Sequence, residues 1–234
     1  MIEFETEVLD IIQRTHNVKS FRLRAEEGAG FKPGQYLTVT IKIGNTEKTK
    51  PFSCSNSPTE KGYLEFTKKL TGSDFSRALD KLKDGGRVKV KMPFGSFVLR
   101  DEYKKIAFLS GGIGITPIRS ICKYVADKKL DTDIILLYGN RTRADIVFKE
   151  DFEAMQKESS KPKVVHILSQ PEQEWRGRSG YINAGDIKEE IADYAERKFY
   201  ICGPPAMVEA MNRMLLDGLK IDKNNIVTEN FRGY

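Results

Sequence analysis

The chain has 234 residues, 39% of them hydrophobic, 10% aromatic and 31% charged. That length allows one large domain or two of moderate size, and the composition excludes a disordered chain or a disulfide-stapled mini-scaffold. The formal net charge of +6 would favour acidic partners, phosphorylated ligands or nucleic acid, although dispersed lysines also make an ordinary solvated surface.

The opening MIEFETEVLD is acidic where a signal peptide would be basic and then apolar. No run reaches the roughly 18 apolar residues of a spanning helix, so a cytoplasmic protein without membrane insertion is expected. Up to about Arg100 the sequence alternates with the two-residue period of half-buried strands. Phe21 and Leu23 stand against Arg22 and Arg24; Leu37, Val39, Ile41 and Ile43 against Thr38, Thr40 and Lys42. Leu64 and Phe66 alternate with Glu65 and Thr67, and Val88, Val90 and Met92 with Lys89 and Lys91. Turns are marked at Pro33-Gly34, Gly44, Gly62 and Gly85-Gly86, so residues 1–102 are predicted to form a small antiparallel β-barrel. Within it, Lys50-Pro51-Phe52-Ser53-Cys54-Ser55 sets a cation, a ring and hydroxyls together. Lys68 and Lys69 then precede the small-residue turn Thr71-Gly72-Ser73, which leads into a short amphipathic stretch through Phe75, Ser76 and Leu79. Together these supply a cation for a phosphate, a flat surface for stacking and amides at a helix start.

From Lys105 short apolar runs suited to strands buried on both faces take over: Ile106 to Leu109, Ile134 to Tyr138, Val164 to Leu168, Phe199 to Cys202 and Ile226 to Thr228. Helical spacing separates them, in Ile118, Ile121, Cys122 and Val125, in Phe148, Phe152 and Met155, in Ile187, Ile191 and Tyr194, and in Met207 through Leu215. Residues 103–234 are therefore predicted to form an α/β domain, a doubly wound parallel sheet. Its first strand runs into Ser110-Gly111-Gly112-Ile113-Gly114-Ile115-Thr116-Pro117, where Thr116 is placed to cap a helix and Pro117 suits its first turn. This is neither the G-x-G-x-x-G fingerprint nor a P-loop, and it reads equally as a phosphate cradle or a plain tight turn. Gly203-Pro204-Pro205 makes a second such turn beside Cys202, which is either inert filling or a group facing a cleft. Cys54, Cys122 and Cys202 form no CxxC or Cys/His spacing, so no metal or disulfide framework is expected, and three cysteines are too few for a four-cysteine iron–sulfur cluster. His16 and His166 are assigned structural places.

Taken in order, these pieces resemble the ferredoxin-NADP reductase family of flavoprotein electron transferases over essentially the whole chain. Lys50-Pro51-Phe52-Ser53 is similar to the family's Arg-x-Tyr-Ser flavin motif, and Gly72 through Ser76 to its Gly-x-x-x-Ser pyrophosphate turn. Gly111 through Pro117 is similar to its nicotinamide-nucleotide loop; Tyr138-Gly139-Asn140-Arg141 and Cys202-Gly203-Pro204-Pro205 match later motifs. The resemblance implies an FAD-binding barrel, an NAD(P)-binding domain and a flavin at their interface. It implies that Phe52 lies against the isoalloxazine, Ser53 bonds near N5, Lys50 and the amides around Ser76 hold the pyrophosphate, and Phe66, Thr67 and Lys68 line the ribityl path. Thr116 would touch the nucleotide diphosphate, Cys202 would sit beside the nicotinamide, and Glu229 would help proton exchange. Phe231 of Glu229-Asn230-Phe231 would shield the flavin, a place Tyr234 competes for. Lys50 for Arg and Phe52 for Tyr depart from the family pattern and point to weaker FAD binding.

The implied activity is hydride transfer from NAD(P)H to FAD, followed by electron delivery to a separate ferredoxin, flavodoxin or oxygenase component. The alternative is a flavin-binding electron-transfer subunit that relies on a larger complex and does not itself oxidise NAD(P)H. Dispersed basic residues without an aromatic platform argue against nucleic acid. NADH and NADPH both stay open: Arg141, Arg143, Arg176 and Arg178 near expected strand ends tilt toward a 2′-phosphate, while Gln170 after Ser169 stands where NADP-specific relatives often carry Arg.

Overall fold

A computed structural model describes residues 1–159 and 161–231. Two compact units emerge, the first made of Met1–Leu99 with Thr116–Tyr124, the second of Arg100–Ile115 with the chain from Val125 onward.

The first unit carries β1 (Ile2–Thr15), β2 (Val18–Arg24), β3 (Tyr36–Ile43), β4 (Thr46–Ser53), β5 (Tyr63–Lys69), the short helix α1 (Asp74–Asp80) and β6 (Arg87–Phe94). The strands form one antiparallel sheet in the order β4-β3-β6-β1-β2-β5. It curls until the end of β4 meets β5 in a single bridge, Cys54 to Phe66. The alternating residues do what their period requires: Phe21, Leu23, Leu37, Val39, Leu64, Phe66, Val88, Val90 and Met92 share one core with Phe52 and Phe75. Each such side chain removed from water contributes about 1.5–3 kcal/mol. By contrast, β4 is exposed from Thr46 through Pro51 and gains its strand only by pairing with β3.

The second unit continues with β7 (Lys105–Gly111), α2 (Ile115–Asp127, of which Thr116–Tyr124 groups with the first unit), β8 (Asp133–Asn140), α3 (Lys149–Ser159), β9 (Lys163–Leu168), β10 (Arg178–Ser179), α4 (Ala184–Glu190), β11 (Lys198–Gly203), α5 (Pro205–Arg213) and β12 (Ile226–Asn230). Its sheet is parallel throughout, in the order β10-β9-β8-β7-β11-β12. Taking the five longer strands, that is 3-2-1-4-5, the doubly wound order whose ligands lie beyond the carboxyl ends of the strands. Ala107, Leu109, Leu137, Ile167, Phe199 and Ile201 share a core with Ile187 of α4, Val208 and Met211 of α5 and Leu215 just beyond it. At the opposite, amino end Arg197 is 4% exposed; it donates to Asp193 Oδ1 at 2.5 Å and Ile106 O at 3.2 Å and pairs with Asp133.

Two sequence expectations change. Thr116 is the second residue of α2 rather than its cap, because a 3-10 turn over Gly112–Gly114 comes first. Helical spacing through Tyr194 is also interrupted, since α4 stops at Glu190 and Asp193 is drawn into ion pairs with Lys105 and Arg197.

Candidate functional site

In the first unit, β4 delivers Lys50 and Pro51 to the surface and leaves Phe52, in the core, and its neighbour Ser53 buried. The Phe52 ring stacks on Phe66 at 4.8 Å between centroids and tilts against Phe75 at 5.9 Å, while Phe66 is stacked on its far side by Phe21 at 5.0 Å. The Phe66 ring is thus packed in the core between Phe21 and Phe52. Lys68, on the next register position of β5, is buried with its Nζ 5.9 Å from the Phe52 centroid. Burial, and then the like charge of Lys50, push the Lys68 ammonium below its ordinary range. Two cations drawn together beside a ring, one of them desolvated, suit a bound diphosphate, which would relieve both the burial cost and the repulsion. The residues present therefore fit the FAD that the family resemblance implies.

The turn ahead of α1 is organised around hydroxyls. Ser73 caps the helix by accepting from Ser76 N at 3.2 Å, and Ser76 Oγ lies 3.0 Å from Thr71 Oγ1 and 3.1 Å from Ser73 Oγ. The Ser76 amide is accordingly committed to the cap. Gly72 is exposed and Phe75 belongs to the core.

In the second unit the parallel register lines up one polar row across the sheet: His166, Tyr138, Ser110, Cys202 and Glu229 are successive cross-strand neighbours on β9, β8, β7, β11 and β12. Among the described residues, the buried side-chain atoms lacking a hydrogen-bond partner are Ser110 Oγ, both amide atoms of Asn140, His166 Nδ1 and Glu229 Oε2. Ser110, His166 and Glu229 are on that row, and Asn140 ends β8 two residues beyond Tyr138. Each unsatisfied group costs about 1–3 kcal/mol, so their concentration at the carboxyl edge marks a place where a ligand's own polar groups would be accepted. Burial lifts the Glu229 carboxyl from its ordinary 4.5 to about 7, and burial with the nearby Glu229 charge pushes the Cys202 thiol well up. Cys202 is therefore a neutral thiol, and Glu229 exchanges its proton near neutral pH. The Tyr138 hydroxyl donates to Gly112 O at 2.9 Å and fixes the glycine turn over the strand ends.

That turn needs its glycines. A Cβ on Gly114 would collide with the Cys202 carbonyl, and one on Gly111 with Met207 Sδ. Pro204 caps α5 with Pro205 at its first position, and Phe231 N donates to Gly203 O at 3.1 Å. Tyr234, the other candidate for flavin shielding, lies outside the described residues. Arg141 is exposed just beyond β8, its carbonyl accepting from Gln170 N at 2.8 Å. Arg178, expected near a 2′-phosphate, is held by Asp186 at 3.0 Å, Glu189 at 2.7 Å and Glu190 at 2.6 Å, and Glu172 Oε1 accepts from Arg143 N at 3.2 Å.

The structure thus sets Cys202 beside Glu229, with Gly203 close to Gly111, while Ser53, Lys50, Phe52 and Lys68 gather in the first unit. Sequence reasoning named Ser110 only as the start of the glycine turn and gave His166 a structural place; that they share one row emerges only from the register. It passed over Glu60, Glu65 and Arg119, which surround the chain after Ser53 and have no motif to announce them. Among the described residues no helix is long and apolar enough to cross a membrane, and no group of three or more His, Cys, Asp or Glu is placed to hold a metal.

The family described as "Oxidoreductase FAD-binding domain" matches residues 5–99, and "Oxidoreductase NAD-binding domain" matches residues 108–213. The NADH-cytochrome b5 reductase 1 of Candida glabrata is 30% identical over 89% of this chain and 77% of its own length. The glycine betaine monooxygenase reductase subunit of Pseudomonas aeruginosa is 30% identical over 88% of this chain, which spans only 58% of that relative's length. Among solved structures, the ferredoxin reductase in carbazole 1,9a-dioxygenase superposes with a TM-score of 0.85 at 28% identity, covering 98% of this chain and 69% of that one. The chain belongs to the ferredoxin-NADP reductase-like family of flavoprotein oxidoreductases, with an FAD-binding domain followed by an NAD-binding domain.

Proposed function

We propose that this chain oxidises NAD(P)H with FAD and hands the electrons to a separate acceptor protein, a ferredoxin, a flavodoxin or an oxygenase component. The observation that carries the reading is the cluster of unpartnered buried polar atoms on Ser110, Asn140, His166 and Glu229 at the carboxyl edge of the second sheet, where a dinucleotide binds in this topology. FAD, when bound, supplies the hydride acceptor and the capacity to release electrons singly. The chain's own part is to hold and orient. Lys50 and Lys68 take the diphosphate charge, Phe52 closes the inner wall, and Ser53 presents its hydroxyl to the flavin. Gly112, Thr116, Pro117, Asn140, Arg141, Gly203 and Pro204 form the nucleotide's seat. Cys202, neutral and buried, packs beside the nicotinamide without competing for its charge, and Glu229 holds or releases a proton at Oε2 near neutral pH. Phe231, tied to Gly203 through its amide, would shield the flavin face that the nicotinamide must reach. The net charge of +6 suits an acidic acceptor, and the unbridged Cys54, Cys122 and Cys202 suit the reducing cytoplasm.

Anaerobic stopped-flow absorbance of the FAD-loaded protein mixed separately with NADH and NADPH tests this. Rapid bleaching of the flavin band by either nucleotide is expected. A bound flavin that neither reduces would refute independent NAD(P)H oxidation, and failure to bind FAD would refute the assignment of the first unit's site.

A further inference from the structure

The chain leaving β4 after Ser53 is fastened at almost every polar atom. Cys54 N donates to Gln35 O at 3.0 Å and Ser55 N to Glu65 O at 2.7 Å; Ser55 Oγ donates to Glu65 Oε1 at 2.8 Å. Asn56 donates to Tyr63 O at 2.9 Å and accepts from Glu65 N at 2.8 Å, and Ser57 N donates to Glu60 Oε2 at 2.6 Å. The remaining carbonyls are taken from α2, in the stretch that groups with the first unit. Arg119 Nη1 donates to Ser55 O at 3.1 Å and Ser120 Oγ to Asn56 O at 2.7 Å. The same guanidinium grips the Glu60 carboxylate with both terminal nitrogens, Nη2 at 3.1 Å from Oε1.

Arg119 is 5% exposed, and Ser55 and Asn56 are fully buried. A buried Arg–carboxylate pair is poor value as a source of stability, since a packed apolar pair of similar volume is often as stable or more so. What such a pair supplies is direction: a planar fork meets a carbonyl and a carboxylate at once, which a lysine ammonium cannot do. Burial alone would raise the Glu60 carboxyl, yet Arg119 holds it below its usual range, so the pair stays ionised. Ser53 is two residues from the gripped carbonyl, a chain distance of about 7 Å at strand rise, too short to absorb a displacement of Ser55.

We propose that Arg119 is a positioning residue for Ser53: its grip on Ser55 O and Glu60 fixes where the end of β4 presents the Ser53 hydroxyl to the flavin. The inference rests on the reading of Ser53 given above.

The test uses the full chain loaded with FAD and compares wild type, Arg119→Met, Arg119→Lys, Ser53→Ala and the double variant Arg119→Met/Ser53→Ala. Three quantities are read: visible circular dichroism of the bound flavin, FAD affinity from fluorescence quenching, and the limiting rate of flavin reduction apart from the nucleotide dissociation constant. A sub-ångström displacement at a reacting centre predicts about tenfold slower limiting reduction in Arg119→Met, an altered flavin dichroism, an unchanged nucleotide dissociation constant and only partial recovery in Arg119→Lys. If Arg119 acts through Ser53, its replacement in the Ser53→Ala background costs less than about twofold, because coupled residues do not add. The same factor in both backgrounds overturns the proposal, as does a variant with a lowered melting temperature but wild-type dichroism and rate. Should Arg119→Met fail to fold, Glu60→Gln, which leaves the donor to Ser55 O in place, gives a smaller slowing of the same non-additive kind, and additivity there is equally fatal. A wild-type flavin reduced by neither nucleotide would refute the functional reading instead, and dichroism with FAD affinity would still decide the role of Arg119.

Discussion

Replacing Glu229 by Gln removes a carboxyl whose proton is held from 4.5 up to about 7 by burial. In the unfolded chain the group ionises near 4.5, so between that pH and 7 the folded state binds more protons than the unfolded one. Stability therefore falls as pH rises through this window and levels off above it. At about 1.4 kcal/mol per pH unit, the wild-type protein loses about 3 kcal/mol between strongly acid and alkaline conditions through this one group. Glutamine cannot ionise, so Glu229→Gln is expected to be more stable than wild type by less than about 1 kcal/mol at pH 5 and by about 3 kcal/mol at pH 9. The sole tryptophan, Trp175, lies in the same unit and bonds through its ring nitrogen to Arg178 O at 2.9 Å. Its fluorescence in urea titrations at several pH values reads that unit's unfolding directly. A stability difference that stays flat from pH 5 to 9 would show that Glu229 ionises freely in the fold, and would remove it as a holder of protons near neutrality.

Arg197→Ala is expected to cost about 3 kcal/mol, because it strips a buried guanidinium from Asp133, Asp193 and the Ile106 carbonyl together; a urea midpoint moved by less than the equivalent of about 1 kcal/mol would contradict this. Arg178→Gln should leave the ratio of NADH to NADPH affinity within about twofold of wild type, since three carboxylates already occupy that guanidinium. A selective loss of NADPH binding in a nucleotide titration would show that Arg178 serves the 2′-phosphate after all.

The barrel and the parallel sheet were legible because burial imposes its period on strands such as Val88-Lys89-Val90-Lys91-Met92 and on the runs Ile106 to Leu109 and Ile134 to Leu137. Much of β4 was harder to see, since an exposed strand at the margin of a sheet has no inward face to write a pattern. Lys50, Phe52 and Ser53, and Cys202 with Glu229, were put forward from the order of motifs alone, which says nothing of their surroundings. Arg119 and Glu60 stand 59 positions apart, and nothing in either neighbourhood signals the other. Nothing in the sequence joins Ser110, at the head of its glycine turn, to His166 until the register sets them in one row. The break after Glu190 depends on Asp193 being drawn toward Lys105 and Arg197, a tertiary demand that helical spacing does not contain.

The single bridge between Cys54 and Phe66 leaves the outer backbone of β4 beyond it open to solvent. Such an unpaired margin invites β-addition by another chain, and Lys48, Lys50 and Pro51 are the residue types that discourage it, two by charge and one by lacking an N–H. Lys50-Pro51 thus suits a margin that must not template the next molecule, apart from the diphosphate role proposed for Lys50. Neutralising Lys50 to study diphosphate binding would also loosen that guard, and self-association would grow alongside any loss of FAD.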